Sequence, residues 1–345
     1  MRRAAPRNAG EVAELLRSRP GRVRLCGGGS RQPRLPDAGD ALQLDLGGLA
    51  AIERLDAPDQ TCSVDCGLPR ALLDAALAEV GLELPCRGGG TLGGLFAADP
   101  IGAAGPGAPA PRTLLLGVEG VLADGTVWKS GARVVKSVAG FDVHKLLVGS
   151  AGRLFVATRL HLRLKPRPRA ELWFTSDDLD VTAAVALVQR LRALATAPAV
   201  LQFARSADCA CRVRGRLVGR AAHVAATARS HALREAAADL ADHLEPSPGG
   251  EVLAANTLAS AIPALLAAAP ANAPFLWHGG GRCEIASPTP AASDALLAAL
   301  PALAIDAAIV RGEPARRGHG TPLDPGQQRL ADELRRALDP HGILV

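Results

Sequence analysis

Two glycine runs constrain this chain more than anything else in it: Gly27-Gly28-Gly29-Ser30 and Gly88-Gly89-Gly90-Thr91-Leu92-Gly93-Gly94. Each directly follows a segment with strand character, residues 22–25 and 82–86. A residue without a Cβ lets an anion, or another stretch of backbone, approach main-chain amides that a side chain would cover. Taken alone, Gly27-Gly28-Gly29-Ser30 is more often a plain turn. Two in one domain, each at the end of a strand, are harder to dismiss and point to one ligand shared between them. The residues after the first loop exclude the common nucleotide folds. A Rossmann loop opens a helix, yet Arg31-Gln32-Pro33-Arg34-Leu35-Pro36 places two prolines where that helix would start. No Gly-Lys-Ser/Thr of the Walker type occurs either.

The rest of the chain narrows the ligand class further. At 345 residues it has length for about two domains, and 48% hydrophobic with 21% charged residues is the balance of a folded globular chain. The net charge of +5 is spread over dispersed arginines. With no Tyr, three Trp and six Phe, there is no aromatic platform for bases, so a nucleic-acid partner is not expected. Seven cysteines without a C-x-x-C pair exclude a zinc ribbon and an iron–sulfur ligand run, and they read as idle thiols of a reducing cytoplasm. Residues 1–19 hold no apolar stretch of signal-peptide length. The uncharged stretch 252–277 is interrupted by Pro263, Pro270 and Pro274 and is rich in Ala, so it reads as buried helix and loop rather than a membrane span.

Local patterns place the elements. Asn8 and Glu11 form a capping box for a helix carrying Val12, Leu15 and Leu16, stopped by Pro20-Gly21. Pro69 starts a helix that turns Leu72, Leu73, Ala76, Leu77 and Val80 inward until Gly81 ends it. Asp124-Gly125 marks a hairpin. Residues 99–111 are an irregular loop rich in Pro and Gly. A strand is expected over 134–138, then a short helix over 139–147. Residues 154–165 alternate, with Leu160, Leu162 and Leu164 against Arg159, His161, Arg163 and Lys165, the pattern of a half-buried strand. The Pro/Arg segment 166–169 is the best boundary in the chain. Beyond it, strands at 172–174, 200–203, 211–217 and 305–310 mix with helices at 179–194, 220–244, 257–268, 293–300 and 327–338.

The ordered set Arg24-x-x-Gly27-Gly28-Gly29-Ser30, Gly88 to Gly94, Leu116-Gly117-Val118 with Asp124-Gly125, and Val135-Lys136-Ser137-Val138-Ala139-Gly140-Phe141-Asp142 with Leu146-Leu147-x-Gly149-Ser150-x-Gly152 resembles the FAD-linked oxidases of the vanillyl-alcohol oxidase type. Within them it is most similar to the FAD-binding subunits of bacterial glycolate oxidases, over residues 9–168. The resemblance implies an α+β protein. Residues 1–168 would be a two-subdomain FAD-binding domain of PCMH type, split near 1–55 and 56–168, with an α+β C-terminal substrate or cap domain over 169–345. It implies non-covalent FAD, since Cys26 and Cys86 precede the loops and neither loop holds a His or Cys placed for attachment. Gly27, Gly28, Gly29 and Ser30 would hold the pyrophosphate. Gly88, Gly89, Gly90, Thr91, Gly93 and Gly94 would pass beneath it and the ribityl chain. Lys136, Ala139, Gly140 and Asp142 would shape the flavin side, and Gly152 the adenine end.

The C-terminal half departs from related hydroxy-acid dehydrogenases. Where those carry a two-histidine metal motif, this chain reads His278-Gly279-Gly280-Gly281-Arg282-Cys283-Glu284-Ile285. A lone His does not make that site, so no metal is expected. His278 reads rather as a structural or pocket histidine. Arg282 is open between a substrate carboxylate and an interdomain salt bridge. No catalytic base is identifiable. The resemblance implies an FAD-dependent oxidoreductase acting on CH–OH donors, as one chain of a complex that moves reducing equivalents from glycolate or another small 2-hydroxy acid. Its partners would be a larger FAD-containing subunit and an iron–sulfur subunit, in the cytoplasm or held by them at the inner face of the membrane. The alternatives are a scaffold deficient in FAD binding and a stand-alone flavin-dependent alcohol oxidase.

Overall fold

Asn8 opens the first helix, α1 (Ala9–Arg17), by the reciprocal cap its sequence predicts. Its Oδ1 accepts the Glu11 N–H at 2.9 Å, and the Glu11 carboxylate accepts from Asn8 Nδ2 at 2.9 Å and from the Arg7 N–H at 2.8 Å. The computed structural model describes residues 2–18, 21–29, 39–98, 107–133, 140–238, 240–241 and 243–345. The expected strand over 134–138, most of the loop over 99–111, and Ser30, Lys136 and Ala139 lie outside them.

Strands β1 (Arg3–Ala4), β2 (Val23–Cys26) and β3 (Leu42–Asp45) form a parallel sheet in the order β1-β3-β2. Val12, Leu16, Val23 and Leu44 build its core, joined by Leu344 from the far end of the chain. The tail runs alongside β2. The Val23 N–H donates to the Ile343 carbonyl at 2.6 Å, and the Val345 N–H to the Val23 carbonyl at 3.0 Å.

A second layer follows with β4 (Ile52–Asp56), β5 (Thr61–Asp65), α2 (Arg70–Glu79), β6 (Leu82–Glu83), α3 (Leu92–Ala97), α4 (Pro111–Leu114), β7 (Leu115–Val121), β8 (Val127–Gly131), β9 (Val156–Arg163) and β10 (Lys165–Pro166). Five of these strands form an antiparallel sheet in the order β4-β5-β9-β7-β8. Alternation along β5 and β9 turns Cys62, Val64, Leu160 and Leu162 onto Leu73, Leu77, Leu92 and Phe96 of α2 and α3. In α2 only the Leu73/Leu77 stripe is buried. Leu72 and Val80, expected inward, are 57% and 42% exposed, because they sit off the i, i+4 line that meets the sheet. The Asp124-Gly125 turn forms, with the Gly125 N–H on the Leu122 carbonyl at 2.9 Å. Of the helix expected over 139–147, a 3₁₀ turn, Val143–Leu147, is present, and Phe141 before it is exposed.

The second half contributes β11 (Ala170–Thr175), α5 (Val181–Arg192), β12 (Val200–Arg205), β13 (Cys211–Gly219), α6 (Ala221–Ser230), β14 (Arg234–Glu235), β15 (Glu251–Asn256), α7 (Ile262–Ala268), β16 (Phe275–His278), β17 (Arg282–Ser287), α8 (Pro290–Ala299), β18 (Ala307–Arg311) and α9 (Pro325–Leu338). Its eight strands form one antiparallel sheet in the order β14-β11-β13-β12-β16-β17-β15-β18. Helices α5, α7 and α8 bury one face over Phe174, Phe203, Phe275, Trp277 and Ile285. The fold is therefore mixed α and β.

Two expectations fail here for the same reason. Part of the 252–277 stretch is strand, β15 and β16, although alanine favours helix; central positions between paired neighbours override local propensity. The helix expected over 220–244 ends at Ser230, where Ala232 turns left-handed with φ 51° and the Leu233 N–H caps the Ala228 carbonyl at 2.9 Å. The chain then crosses the open face of the sheet. At the sheet edge the Ala236 N–H, just past β14, reaches the Trp173 carbonyl of β11 at 2.9 Å, and over the face Gln202 Nε2 donates to the Ala241 carbonyl at 2.7 Å. No helix of the described residues is long and apolar enough to cross a membrane.

Candidate functional site

Three loops and the ends of two strands meet in a cleft of about 230 Å³. The first loop, Gly27 to Gly29, leaves β2 at Cys26. The second enters α3 through Thr91, Gly93 and Gly94. The third, Gly149 to Gly152, follows the 3₁₀ turn, and Arg282 with Val310 closes the cleft from β17 and β18. Leu25, Leu46, Phe155 and Ala157 provide apolar walls. The volume falls just below the ~300–1,000 Å³ of enclosed small-molecule pockets, so the cleft suits one stretch of a long ligand.

Hydrogen bonds hold the loops to one another. The Gly93 N–H donates to the Cys66 carbonyl at 2.7 Å and the Leu92 N–H to the Leu68 carbonyl at 2.9 Å, tying the second loop to the β5–α2 turn. The Ala151 N–H reaches the Ala97 carbonyl at 2.8 Å, tying the third loop to the end of α3.

Glycine is required at two of these positions by close approach. A Cβ on Gly27 would stand 2.2 Å from Thr91 Oγ1, and one on Gly93 would stand 2.7 Å from Cys66 Cβ. The first and second loops are thus pressed together in a way that side chains forbid. Among the described residues, the N–H groups of Gly28, Gly29 and Gly94 meet no acceptor. Such amides, in loops that line a cleft walled by apolar residues, fit the diphosphate of a dinucleotide.

The sequence-assigned residues divide in space. Gly27, Gly28, Gly29, Thr91, Gly93, Gly94 and Gly152 line the cleft. Gly88 turns instead to a groove of about 730 Å³ between the two halves, beside Arg87 and Trp173. Gly90 serves the turn before α2, its carbonyl accepting the Arg70 N–H at 2.8 Å. Gly89 is not among the cleft-lining residues. Gly140 and Asp142 lie at the surface, where Asp142 Oδ1 stands 3.9 Å from His144 Nε2. Sequence reasoning missed Cys66, Ala97, Ala98, Phe155 and Val310. Of these only Ala97 and Ala98 carried a signal, as the continuation of the second glycine loop.

Among the described lining residues, Arg282 is the charged side chain. Cysteines 26 and 66 also line the cleft. The Cys26 thiol donates to the Gly27 carbonyl at 3.3 Å, and burial pushes the Cys66 thiol far up, so it stays protonated.

On the open face of the large sheet, β16 and β17 set His278, Arg282 and Glu284 on the side away from the core, whereas Ile285 is in the core. Glu284 Oε1 stands 2.8 Å from His243 Nδ1, and Oε2 accepts the Leu244 N–H at 2.8 Å. Burial pushes the Glu284 carboxyl up, but the His243 hydrogen bond and charge, the Leu244 amide and Arg282 outweigh it and hold the group below its ordinary value. Among the described residues no group of three or more His, Cys, Asp or Glu is placed to hold a metal ion.

The FAD binding domain family matches residues 2–131. Glycolate oxidase subunit GlcE of Escherichia coli K12 is 33% identical over 134 residues, 37% of this chain and 38% of that protein. Glycolate oxidase subunit GlcD of Bacillus subtilis 168 is 28% identical over 213 residues, 58% of this chain and 44% of that protein. The matched stretch thus spans less than half the length of either relative. Among solved structures, an alkyldihydroxyacetonephosphate synthase superposes with a TM-score of 0.67 at 14% identity, covering 99% of this chain and 75% of that one, which establishes a shared fold.

Proposed function

We propose, from the premise that residues 2–131 are an FAD binding domain, that this chain is an FAD-dependent oxidoreductase subunit acting on the CH–OH group of a small 2-hydroxy acid such as glycolate. The observation that carries this reading is the cleft where the Gly27 and Gly93 loops close on each other with free amides between apolar walls. FAD bound there supplies a two-electron acceptor for the carbinol hydride.

The chain's own residues do the holding. Gly28, Gly29 and Gly94 offer N–H groups to the diphosphate, and Leu25, Leu46, Phe155 and Val310 exclude water beside it. Attachment is read as non-covalent: no histidine lines the cleft among the described residues, the Cys66 thiol is held protonated, and the Cys26 thiol is hydrogen-bonded to the Gly27 carbonyl. Gly27, Thr91, Gly93 and Gly152 shape the passage. Ser30, Lys136 and Ala139 are assigned to the same ligand by resemblance, as are Gly88, Gly89, Gly90, Gly140 and Asp142.

Its similarity to GlcE and GlcD supports a place in an oxidase complex beside a larger FAD-containing subunit, with an iron–sulfur subunit taking the electrons onward. The complex would sit in the cytoplasm or at the inner face of the membrane through those partners.

The test is the visible spectrum of the purified chain, alone and with the partner subunits, before and after glycolate. A flavin band that bleaches on glycolate addition bears the reading out. Absence of any flavin band after reconstitution with FAD refutes it.

A further inference from the structure

The segment Lys165-Pro166-Arg167-Pro168-Arg169 joins the two halves, and none of it lines the cofactor cleft. Proline fixes its own φ and pushes the residue before it into extended backbone, so the run alternates a cation with a residue that keeps the chain extended. Two residues of extended chain advance about 6.6 Å, which sets the pitch of the charges. Both ends are anchored. Lys165 and Pro166 form β10 against Glu83 and Leu82 of β6, the Arg167 N–H donates to the Gly81 carbonyl at 2.9 Å, and Ala170 starts β11 opposite Gly219 of β13. This rail therefore needs little ordering when something binds along it.

All three cations are exposed and line the groove of about 730 Å³ between the halves, and no described residue lines both this groove and the cofactor cleft. Among the described residues around the groove, six are cationic and three acidic. The acids are already engaged: Asp74 Oδ1 accepts from Arg70 Nε at 2.7 Å, Glu83 Oε2 from Arg216 Nη2 at 3.1 Å, and Glu171 Oε2 from Arg216 Nε at 2.7 Å. The side chains of Lys165, Arg167 and Arg169 make no ion pair or hydrogen bond with a described residue, so among those residues the groove keeps an uncompensated positive charge. Trp173 lines the same groove, with the Arg87 and Arg216 guanidiniums 5.1 and 5.9 Å from its ring centroid, and Leu84, Val200 and Val218 add apolar surface.

We propose that this groove docks an extended acidic segment of a partner protein, with carboxylates at alternate positions meeting Lys165, Arg167 and Arg169. An extended chain running along the rail turns every second side chain to the same face, which is the pitch of the cations. The two arginines of the rail take carboxylates by their planar forks. Trp173 and its apolar neighbours cover the aliphatic parts of the docked side chains, which a bare inorganic anion lacks. A bilayer is the other extended anionic partner, but the concave lining of a groove is out of reach of a flat headgroup surface.

The experiment uses the full chain as wild type, as a groove variant carrying Lys165→Gln, Arg167→Gln and Arg169→Gln, and as a control carrying Arg329→Gln, Arg335→Gln and Arg336→Gln, which removes the same charge from α9, outside the groove. Thermal melting confirms that each folds. A fluorescein-labelled peptide of alternating aspartate and serine is titrated by anisotropy, beside a peptide of the same composition with its aspartates in one block and beside vesicles of phosphatidylcholine with phosphatidylserine. Expected is binding of the alternating peptide to wild type and control that weakens roughly tenfold in the groove variant, the loss of three exposed ion pairs, with the blocked peptide bound more weakly by the wild type. No binding to the wild type, or equal affinity in wild type and groove variant, overturns the proposal. An equal loss in the α9 control assigns the binding to overall charge and overturns it too, as does equal affinity for the two peptides. Vesicles that bind the wild type through the same three residues, where the alternating peptide does not bind, overturn it in favour of a membrane surface.

Discussion

Gly27 and Gly29 differ in what they forbid, which separates packing from backbone strain. Gly27→Ala drives a Cβ to 2.2 Å from Thr91 Oγ1, so the two loops must part. Gly29→Ala meets nothing within 4 Å but must hold φ +73°, a strain of about 1–3 kcal/mol. We expect Gly27→Ala to weaken FAD binding at least about tenfold, near 1.4 kcal/mol, and to lower the melting temperature as well, since overpacking of this kind costs about 1–3 kcal/mol. Gly29→Ala should lower stability as well as affinity. Flavin fluorescence titration and thermal melting of the two variants check this.

A second residue-scale expectation concerns His161, whose Nδ1 stands 2.9 Å from Ser63 Oγ and whose Nε2 stands 3.3 Å from Glu119 Oε1. Burial lowers its pKa from 6.5, with Glu119 opposing, and burial likewise lowers that of His144. The unfolded chain therefore binds more protons than the folded one in the window below pH 6.5. Stability is full above that value and falls as pH drops toward the lowered folded pKa values. Melting temperatures across pH 7.5 to 5.5 should decline, and less steeply in His161→Gln.

At the scale of elements, the glycine loops, the α1 cap and the β7–β8 hairpin are legible in the sequence because each depends on residues a few positions apart. Asn8 with Glu11, and Gly125 with Leu122, carry their own partners. The strands β15, β16 and β17 are not legible there, because their stability comes from one another across the sheet. The early end of α6 is hidden for the same reason: the Trp173 carbonyl and Gln202, far away in sequence, hold the chain beyond it. The C-terminal tail is the element with the clearest test. Asp339 accepts the Ile343 N–H at 3.0 Å and the Leu344 N–H at 2.8 Å, and the tail then lies along β2, whose end carries the first glycine loop. Asp339→Ala should cost about 1–3 kcal/mol, read by urea unfolding. It should also raise hydrogen exchange at Val23 and Val345, whose N–H groups join the tail to β2.

At the scale of the molecule, a cleft assembled from both halves makes ligand binding a source of global stability. Free FAD at 100 times its dissociation constant should add about 2.7 kcal/mol, seen as a higher melting temperature. That shift should be diminished in Gly27→Ala. An unchanged melting temperature at saturating FAD would count against the cleft as its site.

The sequence alone determined that the chain folds around strand-end glycine loops, that a Rossmann arrangement is excluded, and that Gly27, Gly28 and Gly29 belong to a loop that lines a cleft. Those features are local, since a missing Cβ or a proline acts on its own backbone. The tertiary structure decided the rest. It brought Gly149 to Gly152, Phe155 and Val310 to the cleft, drew Gly88 away from it and left Gly140 and Asp142 at the surface. It also set Arg282 at the cleft, where its charge acts on Glu284, while engaging Arg216 with Glu83 in the tie between halves. No spacing in the chain encodes which carboxylate each arginine meets; that depends on how two sheets, formed from distant segments, come to face each other.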